Sequence, residues 1–363
     1  MTITADAVVI GGGINGCTSA YSLKKRGVER VLLIEKGHIA SGPTGLSSGV
    51  VRQHYSHATL SAMARDSVAV WRNFDERIGG SAGFVQCGVV FFSGPRDAQP
   101  VRTAVEMHRR MGIDERIMSA DELREIEPRL YTGDIAVGAY DAGGGYADPA
   151  LAAAGFAAAA EREGVEIVRG TEVTGFRIHG GRLRSVLTTA GEISTDCCVN
   201  VAGPWGGRVA ALAGVSLPIK ASRHPVVVTR RAPRWAGPTV VWGDLVNGWY
   251  FKPDGVTHML IGSIHDIEGE ADIENHLTVP TIEEVEAYVS AIVKRFPVME
   301  EGSVHGGWAA LYDVTPDWHP IIAAIPEVAG FYCAVGFSGH GFKIGPAVGT
   351  IVSELVTEGR CSS

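Results

Sequence analysis

The chain has 363 residues, of which 45% are hydrophobic and 47 are glycine, and its formal net charge is -8. This length allows one large domain or two interleaved ones with a substantial core. The high glycine content indicates many tight turns and places where the backbone approaches a ligand closely. Since the negative charge comes without basic runs, the composition excludes nucleic acid as an expected partner.

The cysteines show no C-x-x-C spacing, which favours reduced thiols over a disulfide framework or a zinc site. They are Cys17, Cys87, Cys197, Cys198, Cys333 and Cys361. The sequence shows no signal peptide and no apolar run of about 18 residues that could span a membrane. We therefore expect a soluble, cytoplasmic protein without a membrane segment.

The first forty residues predict a strand, a helix and a second strand. Residues 7–10 form an apolar run typical of a buried parallel strand. Apolar side chains then recur at near-helical spacing from Ile14 to Leu23, and Gly27 ends that helix. Residues 30–37 form the next apolar strand, so the segment predicts a complete βαβ unit.

The turn after the first strand has glycines at the spacing G-x-G-x-x-G, as Gly11, Gly13 and Gly16. Such a turn lets the backbone approach a pyrophosphate at a helix N-terminus. Glu35, at the end of the second strand, is a candidate acceptor for the hydroxyls of an adenosine ribose. Together they predict a dinucleotide site, but this segment alone does not distinguish NAD from FAD.

Residues 37–60 are rich in glycine and serine, whereas nicotinamide-binding domains usually continue into another crossover helix. Hydroxyls in this segment suit phosphate and ribityl oxygens, which favours FAD; the alternative is a polar surface loop. A helix is predicted to follow over residues 60–78. The hydroxyls belong to Ser41, Thr44, Ser47 and Ser48.

Helices and short strands fill the rest of the chain. An Asp-Pro pair at Asp148 marks the start of an alanine-rich helix that Gly164 ends. Residues 165–202 and 218–312 are rich in strands, with a helix over 281–295. The final segment returns to a strand, a glycine-rich turn and a helix. Because the cofactor-like features lie at both ends and in the middle, two domains are expected to interleave.

Four segments resemble the D-amino-acid oxidase family of FAD flavoproteins, the group that includes sarcosine oxidase and glycine oxidase. The segments are VVIGGGINGCTSAYSLKKRGVERVLLIEKG, ASGPTGLSSGVVRQHY, VNVAGPWG, and TPDWHPIIA with GFYCAVGFSGHGFKIGPAVG. The last of them, through GFSGHGFK, is particularly similar to the sarcosine oxidase branch. They cover most of the chain, so the resemblance is far more specific than any one motif.

The resemblance implies an α/β fold in which a Rossmann-like FAD-binding domain interleaves with a substrate domain built on a large, mostly antiparallel sheet. We expect the FAD-binding domain to comprise residues 1–82, 145–217 and 313–363. Residues 83–144 and 218–312 would then form the substrate-binding domain.

The resemblance also implies which residues bind FAD. The glycine turn and the loop after Glu35 would hold the adenosine half, and VNVAGPWG would supply a second contact segment. GFSGHGFK would lead to a helix N-terminus beneath the flavin, where amides stabilise negative charge. The implied cofactor-binding residues are Gly11, Gly13, Ile14, Asn15, Gly16, Glu35, Lys36, Ser41, Thr44, Ser47, Ser48, Val173, Ala202, Gly203, Trp205, Gly339, His340, Gly341, Phe342 and Lys343.

Arg52, in VVRQHY, resembles the arginine that binds the substrate carboxylate in sarcosine oxidase, and Lys343 resembles its partner cation. An arginine fork grips a carboxylate at two points, and a lysine adds a second charge. The alternatives are a surface arginine in a loop and an exposed helix lysine. His340 and Tyr250 complete the implied catalytic set, although Tyr250 could instead be core packing. Tyr55 is a second candidate for bonding the substrate or closing the pocket.

Two positions depart from the sarcosine oxidase pattern. Ala310 stands where that branch often has the cysteine that tethers FAD, so we expect FAD to be bound non-covalently. The segment around Leu260 is apolar where that branch places an oxygen-activating lysine. This second departure puts fast reaction with oxygen in doubt.

No metal site is expected, because His54, His57, His224 and His265 share no ligand spacing. We interpret them as solvated or core histidines. Asp317 follows a Thr-Pro pair and is interpreted as a turn or helix-cap residue rather than a catalytic acid.

The resemblance implies FAD-dependent oxidation of the C–N bond of an amino acid with a free carboxylate, such as the N-alkylglycine sarcosine. Hydride would pass from Cα to flavin N5, and the imine would hydrolyse to an aldehyde or oxo acid plus an amine, with O2 reduced to H2O2. The alternatives are a glycine or D-amino acid oxidase, and an amine dehydrogenase subunit that uses another acceptor. The expected partners are the small amino acid and the electron acceptor; monomer, homo-oligomer and hetero-oligomer stay open.

Overall fold

A computed structural model describes residues 3–264 and 269–361. Its helices are α1 (Ile14–Lys25), α2 (Ala58–Arg72), α3 (Phe74–Arg77), α4 (Ala98–Arg110), α5 (Ala120–Ile126), α6 (Pro149–Arg162), α7 (Gly206–Leu212), α8 (Ile282–Arg295) and α9 (Gly341–Glu358). The strands are β1 (Ile3–Thr4), β2 (Ala7–Ile10), β3 (Val31–Glu35), β4 (Val50–Val51), β5 (Val89–Ser93), β6 (Glu115–Met118), β7 (Val137–Asp141), β8 (Gly145–Tyr146), β9 (Glu166–Arg169), β10 (Val173–His179), β11 (Arg182–Thr188), β12 (Gly191–Ser194), β13 (Cys198–Asn200), β14 (Lys220–Arg230), β15 (Val241–Asp244), β16 (Trp249–Asp254), β17 (His258–Ser263), β18 (Ser303–Val314), β19 (Ile321–Ala324) and β20 (Phe331–Val335).

One sheet has the order β19-β20-β13-β2-β3-β9, with parallel pairing except at the β19 edge. Its strand β2 is buried along its whole length because structure covers both faces. Ala7 and Val9 share a core cluster with residues of α1 and α9. Val8 and Ile10 share another with residues of α7 and β11. This confirms the βαβ prediction for the first forty residues.

A second sheet has the order β18-β14-β17-β16-β15-β5-β7-β6. Its pairs are antiparallel apart from β15 with β5. Trp242, Phe251 and Ile261 pack with Tyr288 and Ile292 of α8, which closes one face of the sheet. A large, mostly antiparallel sheet beside a doubly wound parallel one confirms the predicted mixed α/β class. Two smaller sheets, β1-β12-β11-β10 and β4-β8, complete the described topology.

Local sequence signals explain several helix boundaries. The Asp148 side chain accepts a hydrogen bond of 2.9 Å from the Leu151 N–H, which caps α6 as predicted. The helix predicted over 60–78 divides at Asn73 into α2 and α3, and α4 was not predicted. Among the described residues, no helix combines the length and the apolar composition needed to cross a bilayer. The domain boundaries and the cytoplasmic location stay predictions.

Candidate active site

A cavity of about 830 Å³, which we call the large cavity, lies at the carboxyl ends of β2 and β3. It gathers most of the residues predicted to bind FAD, from four distant segments of the chain. Those that line it are Gly11, Gly13, Ile14, Asn15, Glu35, Lys36, Ser41, Thr44, Ser47, Ser48, Val173, Ala202, Gly203, Trp205, Gly339, Gly341, Phe342 and Lys343.

Two of the motif glycines are required by close packing. Gly11 has φ +117, and a Cβ there would lie 2.6 Å from the Val201 carbonyl oxygen. A Cβ on Gly16 would overlap the carbonyl oxygen of Gly11. Gly16 does not line the large cavity; it lets α1 pack tightly against the turn that does. Its predicted contact with FAD is therefore an indirect one.

The start of α1 is held open toward the large cavity. Its N-cap Gly13 has no side chain to bond the first turn, and the Ile14 N–H donates to the Thr44 hydroxyl at 3.1 Å. Glu35 accepts one hydrogen bond of 2.6 Å from Gly12 N–H and another of 2.6 Å from Gly37 N–H. Each carboxylate oxygen retains a lone pair for a ribose hydroxyl.

A second helix begins at the same cavity. Gly341, Phe342 and Lys343, the first turn of α9, line it together with Gly339. Gly339 has φ +78, and a Cβ there would strike the Tyr312 ring. The N-termini of α1 and α9 both present first-turn backbone N–H groups, which have no partner within their own helix, and a positive dipole end to an anion. A long cavity with two such ends and a side-chain-free turn fits FAD, which these residues would hold.

A polar cluster borders the large cavity beside Trp205. The Lys36 Nζ lies 3.7 Å from the centroid of the Trp205 ring, and the indole N–H donates to Glu274 Oε1 at 2.8 Å. The same carboxylate pairs with Arg208 at 3.0 Å. Glu274 and Arg208 carry no motif, and sequence reasoning missed them.

A second cavity of about 280 Å³, the small cavity, adjoins the large one. The two share seven lining residues, which are Ser48, Val50, His224, Tyr250, Tyr312, Gly339 and Lys343. All four predicted catalytic residues line it, although they come from a loop, a strand and a helix. Most of its remaining wall is apolar, through side chains that the sequence did not identify. The catalytic residues are Arg52, Tyr250, His340 and Lys343, and the apolar residues are Val50, Phe91, Val241, Trp242, Leu245, Ile264 and Trp318.

Two basic side chains, Arg52 and Lys343, meet at the small cavity. Burial and the charge of Arg52 hold the pKa of Lys343 well below its usual range. Burial, then Lys343 and Arg52, likewise hold the pKa of His340 well below its usual range. Among the described residues, no acidic side chain lines this cavity or pairs with either cation. A bound anion would oppose these shifts, because a nearby negative charge favours the charged form of a basic group. Two basic side chains without an acidic partner among the described residues are therefore suited to an anionic group.

The contacts of the two cations exclude the alternative interpretation for the lysine. Lys343 is buried, and its Nζ donates to the Gly339 carbonyl at 3.1 Å, so it is not an exposed helix lysine. Arg52 is half-buried and donates to the His54 carbonyl oxygen. Its guanidinium lies 4.1 Å from the Tyr55 ring centroid. Both side chains keep donors available to the cavity.

The two candidate tyrosines have different surroundings. Tyr250 lines both cavities; burial raises the pKa of its hydroxyl, and a hydrogen bond with Ser48 lowers it. Tyr55 lines neither, but its hydroxyl lies 3.4 Å from Nδ1 of His340. Tyr250 is therefore at the junction of the cavities rather than in the core.

The two departures from the family pattern have clear positions. Ala310 is buried and lines the large cavity. Leu260 is buried outside both cavities, and Lys252 lies opposite it on β16. The ammonium of Lys252 is 3.2 Å from Asp254 Oδ1 and 4.4 Å from the Tyr146 ring centroid, so it is directed elsewhere.

The histidines fall into separate environments. His57 is exposed and packs edge-on against His319, with centroids 5.1 Å apart. His224 stacks on Tyr312 at 3.8 Å and lines both cavities, a role that the sequence did not indicate. His265 lies outside the described residues. The Asp317 carboxylate accepts a hydrogen bond from the His319 N–H, which confirms it as a turn residue.

His54 belongs to a buried group with His108 and Glu115, whose ligand-type atoms lie within 4.8 Å of one another. From the sequence, His54 was interpreted as a solvated or core histidine, and His108 and Glu115 were not candidates. Since they lie on α4 and β6, only the folded chain brings the three together.

Comparison with known proteins gives a consistent result. A family model described as FAD dependent oxidoreductase (DAO) matches residues 6–355. Over 98% of the chain, 27% of residues are identical to the mitochondrial sarcosine dehydrogenase of Mus musculus, of which the match covers 40%. The chain thus spans about two fifths of that relative's length. It is 26% identical to sarcosine oxidase subunit beta of Rhodobacter capsulatus, over 98% of the chain and 85% of the relative. The crystal structure of L-proline dehydrogenase from P. horikoshii superposes with a TM-score of 0.92 and 31% identity, over 100% of this chain and 96% of that one.

Proposed function

Since the chain belongs to the DAO family of FAD dependent oxidoreductases, we propose that it oxidises the C–N bond of a small secondary amino acid with a free carboxylate. The observation that carries the proposal is the small cavity, where Arg52 and Lys343 lie together without an acidic partner among the described residues. An amino acid brings the missing negative charge in its carboxylate. Arg52 would bind that group through two parallel hydrogen bonds, and Lys343 would add a second charge.

The chain's residues would act by binding and orientation. With the carboxylate held at Arg52 and Lys343, the amino acid's remaining atoms lie against the apolar wall, which excludes water. FAD, bound in the large cavity, supplies the acceptor for the hydride that leaves Cα. The hydride leaves once the amine is neutral, since a protonated amine has no lone pair to form the C=N bond. The imine product then hydrolyses in water.

The first substrate that we propose is an N-alkylglycine such as sarcosine, because the M. musculus relative is a sarcosine dehydrogenase. The second is proline, because the P. horikoshii protein of similar structure is an L-proline dehydrogenase. Both have a carboxylate next to a secondary amine. The apolar wall that includes Trp242, Leu245 and Ile264 favours proline, because ring methylenes gain more from burial than a single methyl group.

We propose O2 as the acceptor, with another acceptor as the alternative. The alternative is supported by the apolar surroundings of Leu260 and by the direction of Lys252, which lines neither cavity. The R. capsulatus relative is named as a subunit. The alternative therefore includes a partner chain. The molecular mass of the protein purified from its native source, compared with that of the chain alone, tests it.

The test uses flavin absorbance near 450 nm. Sarcosine, L-proline, D-proline and glycine are added without oxygen, and peroxide is then measured in air. We expect a secondary amino acid to bleach the absorbance fastest. Bleaching by glycine or D-proline alone would favour the glycine or D-amino acid alternative, and absence of peroxide would favour another acceptor.

Arg52→Met is expected to weaken substrate binding at least about 100-fold, because two hydrogen bonds to a charged group contribute about 1.5–3 kcal/mol each. The absorbance spectrum of bound FAD should stay unchanged, since Arg52 does not line the large cavity. Arg110→Met, at a side chain 82% exposed, is the control. Equal substrate affinity in the two variants would contradict the carboxylate role.

A further inference from the structure

Two buried carboxylates on neighbouring strands anchor the loop that carries Arg52. Glu115 begins β6 and Asp141 ends β7, and the two are paired across the strands. They hold the three residues that follow Arg52: Gln53 and His54 by direct hydrogen bonds, and Tyr55 through His108. Neither acid lines a cavity, so their role concerns the loop rather than a ligand.

Asp141 holds Gln53 at two points. One carboxylate oxygen accepts from the Gln53 backbone N–H at 2.7 Å, and the other accepts from its side-chain amide at 2.8 Å. Burial raises the pKa of Asp141 above its usual value, although the hydrogen bonds from Gln53 oppose that shift. The backbone one residue after Arg52 is thereby fixed to the eight-stranded sheet.

Glu115 holds the next two residues through imidazole rings. One oxygen lies 2.8 Å from Nδ1 of His54, and the other bonds Nδ1 of His108. The remaining nitrogen of His108 lies 2.8 Å from the Tyr55 carbonyl oxygen. Burial raises the pKa of Glu115, but the hydrogen bonds from His108 and His54 outweigh it and bring the pKa to about 2. Glu115 is therefore ionised at neutral pH, where it accepts from both rings.

The same three side chains form a possible ligand set for zinc, but their distances favour hydrogen bonding. Tetrahedral ligands at 2.0–2.1 Å from zinc are separated from one another by roughly 3.3 Å. The contacts of Glu115 with His54 and His108 are shorter than that. A zinc ion would require the Glu115 carboxylate and the two imidazoles to move apart, whereas hydrogen bonds already pair them at their present distances.

The position of Arg52 depends on this support, because its own contacts are with its own loop and with aromatic rings, and they do not fix the orientation of the guanidinium. It donates to the His54 carbonyl and lies over the rings of Tyr55 and Phe91, at 4.1 and 5.1 Å from their centroids. His54 in turn stacks on Phe91 at 5.1 Å. No carboxylate among the described residues pairs with the guanidinium, so its position follows the position of the loop.

We propose that Glu115 is a positioning residue that sets Arg52 for carboxylate binding, acting through His54 and His108. The proposal rests on the proposed function, because it assumes that Arg52 receives a carboxylate. In this proposal the buried carboxylate of Glu115 determines the orientation of the Arg52 guanidinium without contacting the ligand.

The test measures the binding of two carboxylates that cannot be oxidised at a C–N bond. Methoxyacetate and tetrahydrofuran-2-carboxylate carry an ether oxygen where sarcosine and proline carry nitrogen. Each is titrated into the FAD-loaded protein, and the perturbation of flavin absorbance gives Kd. The variants are Glu115→Gln, Arg52→Met, the double variant, and the control Glu106→Gln, which is exposed on the same helix as His108.

Glu115→Gln should raise Kd about 10-fold, because a neutral amide cannot accept from both rings. In the Arg52→Met background the same change should alter Kd less than about 2-fold, since a residue that acts through Arg52 has nothing left to position. Glu106→Gln should leave Kd unchanged. If Glu115→Gln does not retain FAD, His54→Phe serves instead, because it keeps the ring stack on Phe91 and loses the bond to Glu115.

Three results would overturn the proposal. One is an equal loss of affinity in both backgrounds, which a merely structural role predicts. Another is one equivalent of bound metal in the purified protein that Glu115→Gln removes. The third is probe binding that needs Arg52 but not Glu115, which overturns this inference alone. A wild-type protein that binds neither probe would instead overturn the carboxylate site of the proposed function, and this inference with it.

Discussion

The two cavities are built by different means, although they meet at Tyr250 and Lys343. The wall of the large cavity includes a turn without side chains and the N-termini of two helices. The small cavity is lined by side chains from distant segments, two of which, Arg52 and Lys343, are basic. A substitution in the turn of the large cavity should impair binding by steric overlap. A substitution of a basic residue in the small cavity should impair binding by loss of charge.

Two buried acids repeat the contrast. Asp313 lines the large cavity and accepts from the Gly336 N–H at 2.6 Å, whereas Glu115 lies behind the small cavity and bonds two imidazoles. Burial raises the pKa of Asp313 to about 6. The pKa of Glu115 falls to about 2, although burial opposes this. The hydrogen-bond partners, and not burial alone, therefore decide in which direction the pKa of a buried acid moves.

The largest expected effect comes from steric overlap at the glycine turn of the large cavity. Gly16→Ala places a methyl group on the carbonyl oxygen of Gly11, which must move and take the turn with it. We expect the purified variant to contain little or no FAD, measured as the ratio of absorbance at 450 and 280 nm.

Gly175→Ala is the matched control for that change. Its new Cβ would meet nothing closer than 3.5 Å, at Leu187, and the residue lies on β10 away from the turn. The control should retain FAD. A Gly16→Ala protein with a normal FAD content would show that the turn tolerates displacement.

A smaller effect is expected from charge at Asp313. Between pH 4 and 6 the folded protein keeps a proton on Asp313 that the unfolded chain has released, so its contribution to stability falls as pH rises. A difference of about two pKa units corresponds to about 3 kcal/mol. Asp313→Asn removes this loss of folding stability, because an amide side chain stays neutral from pH 4 to pH 6 and above.

Thermal unfolding of the FAD-loaded proteins at pH 4.5 and 7.5 measures that difference. Asp313→Asn should gain stability over the wild type as pH rises, by several degrees in Tm. Asp317→Asn, at an exposed turn acid, should show no such gain. Parallel pH curves for the wild type and Asp313→Asn would mean that Asp313 is ionised throughout.

The residues of the large cavity could be predicted from local sequence patterns, whereas those of the small cavity could not. Gly11, Gly13 and Glu35 act through local backbone conformation, which spacing in a βαβ segment records. Arg52 and Lys343 were found only through resemblance, since no local rule places a loop residue beside a helix 290 positions later.

The supporting residues of the small cavity left no signal of that kind. Glu115 and His108 lie in segments with ordinary polar patterns, and their pairing with His54 exists only when α4, β6 and the loop have packed. Trp242 and Ile264 are apolar strand residues whose direction toward a cavity depends on the whole eight-stranded sheet. Tertiary contact, rather than periodicity, makes them functional candidates.

The smallest effect is expected at the junction, where Tyr250→Phe removes one hydroxyl and its hydrogen bond with Ser48. Without that bond the Tyr250 ring is held less firmly beside the bound carboxylate. The Kd of the carboxylate probes should rise by at most about 2- to 10-fold, the equivalent of one neutral hydrogen bond of about 0.5–1.5 kcal/mol. FAD affinity should stay within about 2-fold, because the ring remains. Ser48→Ala removes the same bond from the other side and should change Kd by a similar amount, with no further loss in the double variant. A loss near that of Arg52→Met would instead give the Tyr250 hydroxyl a direct bond to the substrate, and a loss of FAD alone would assign it to the large cavity.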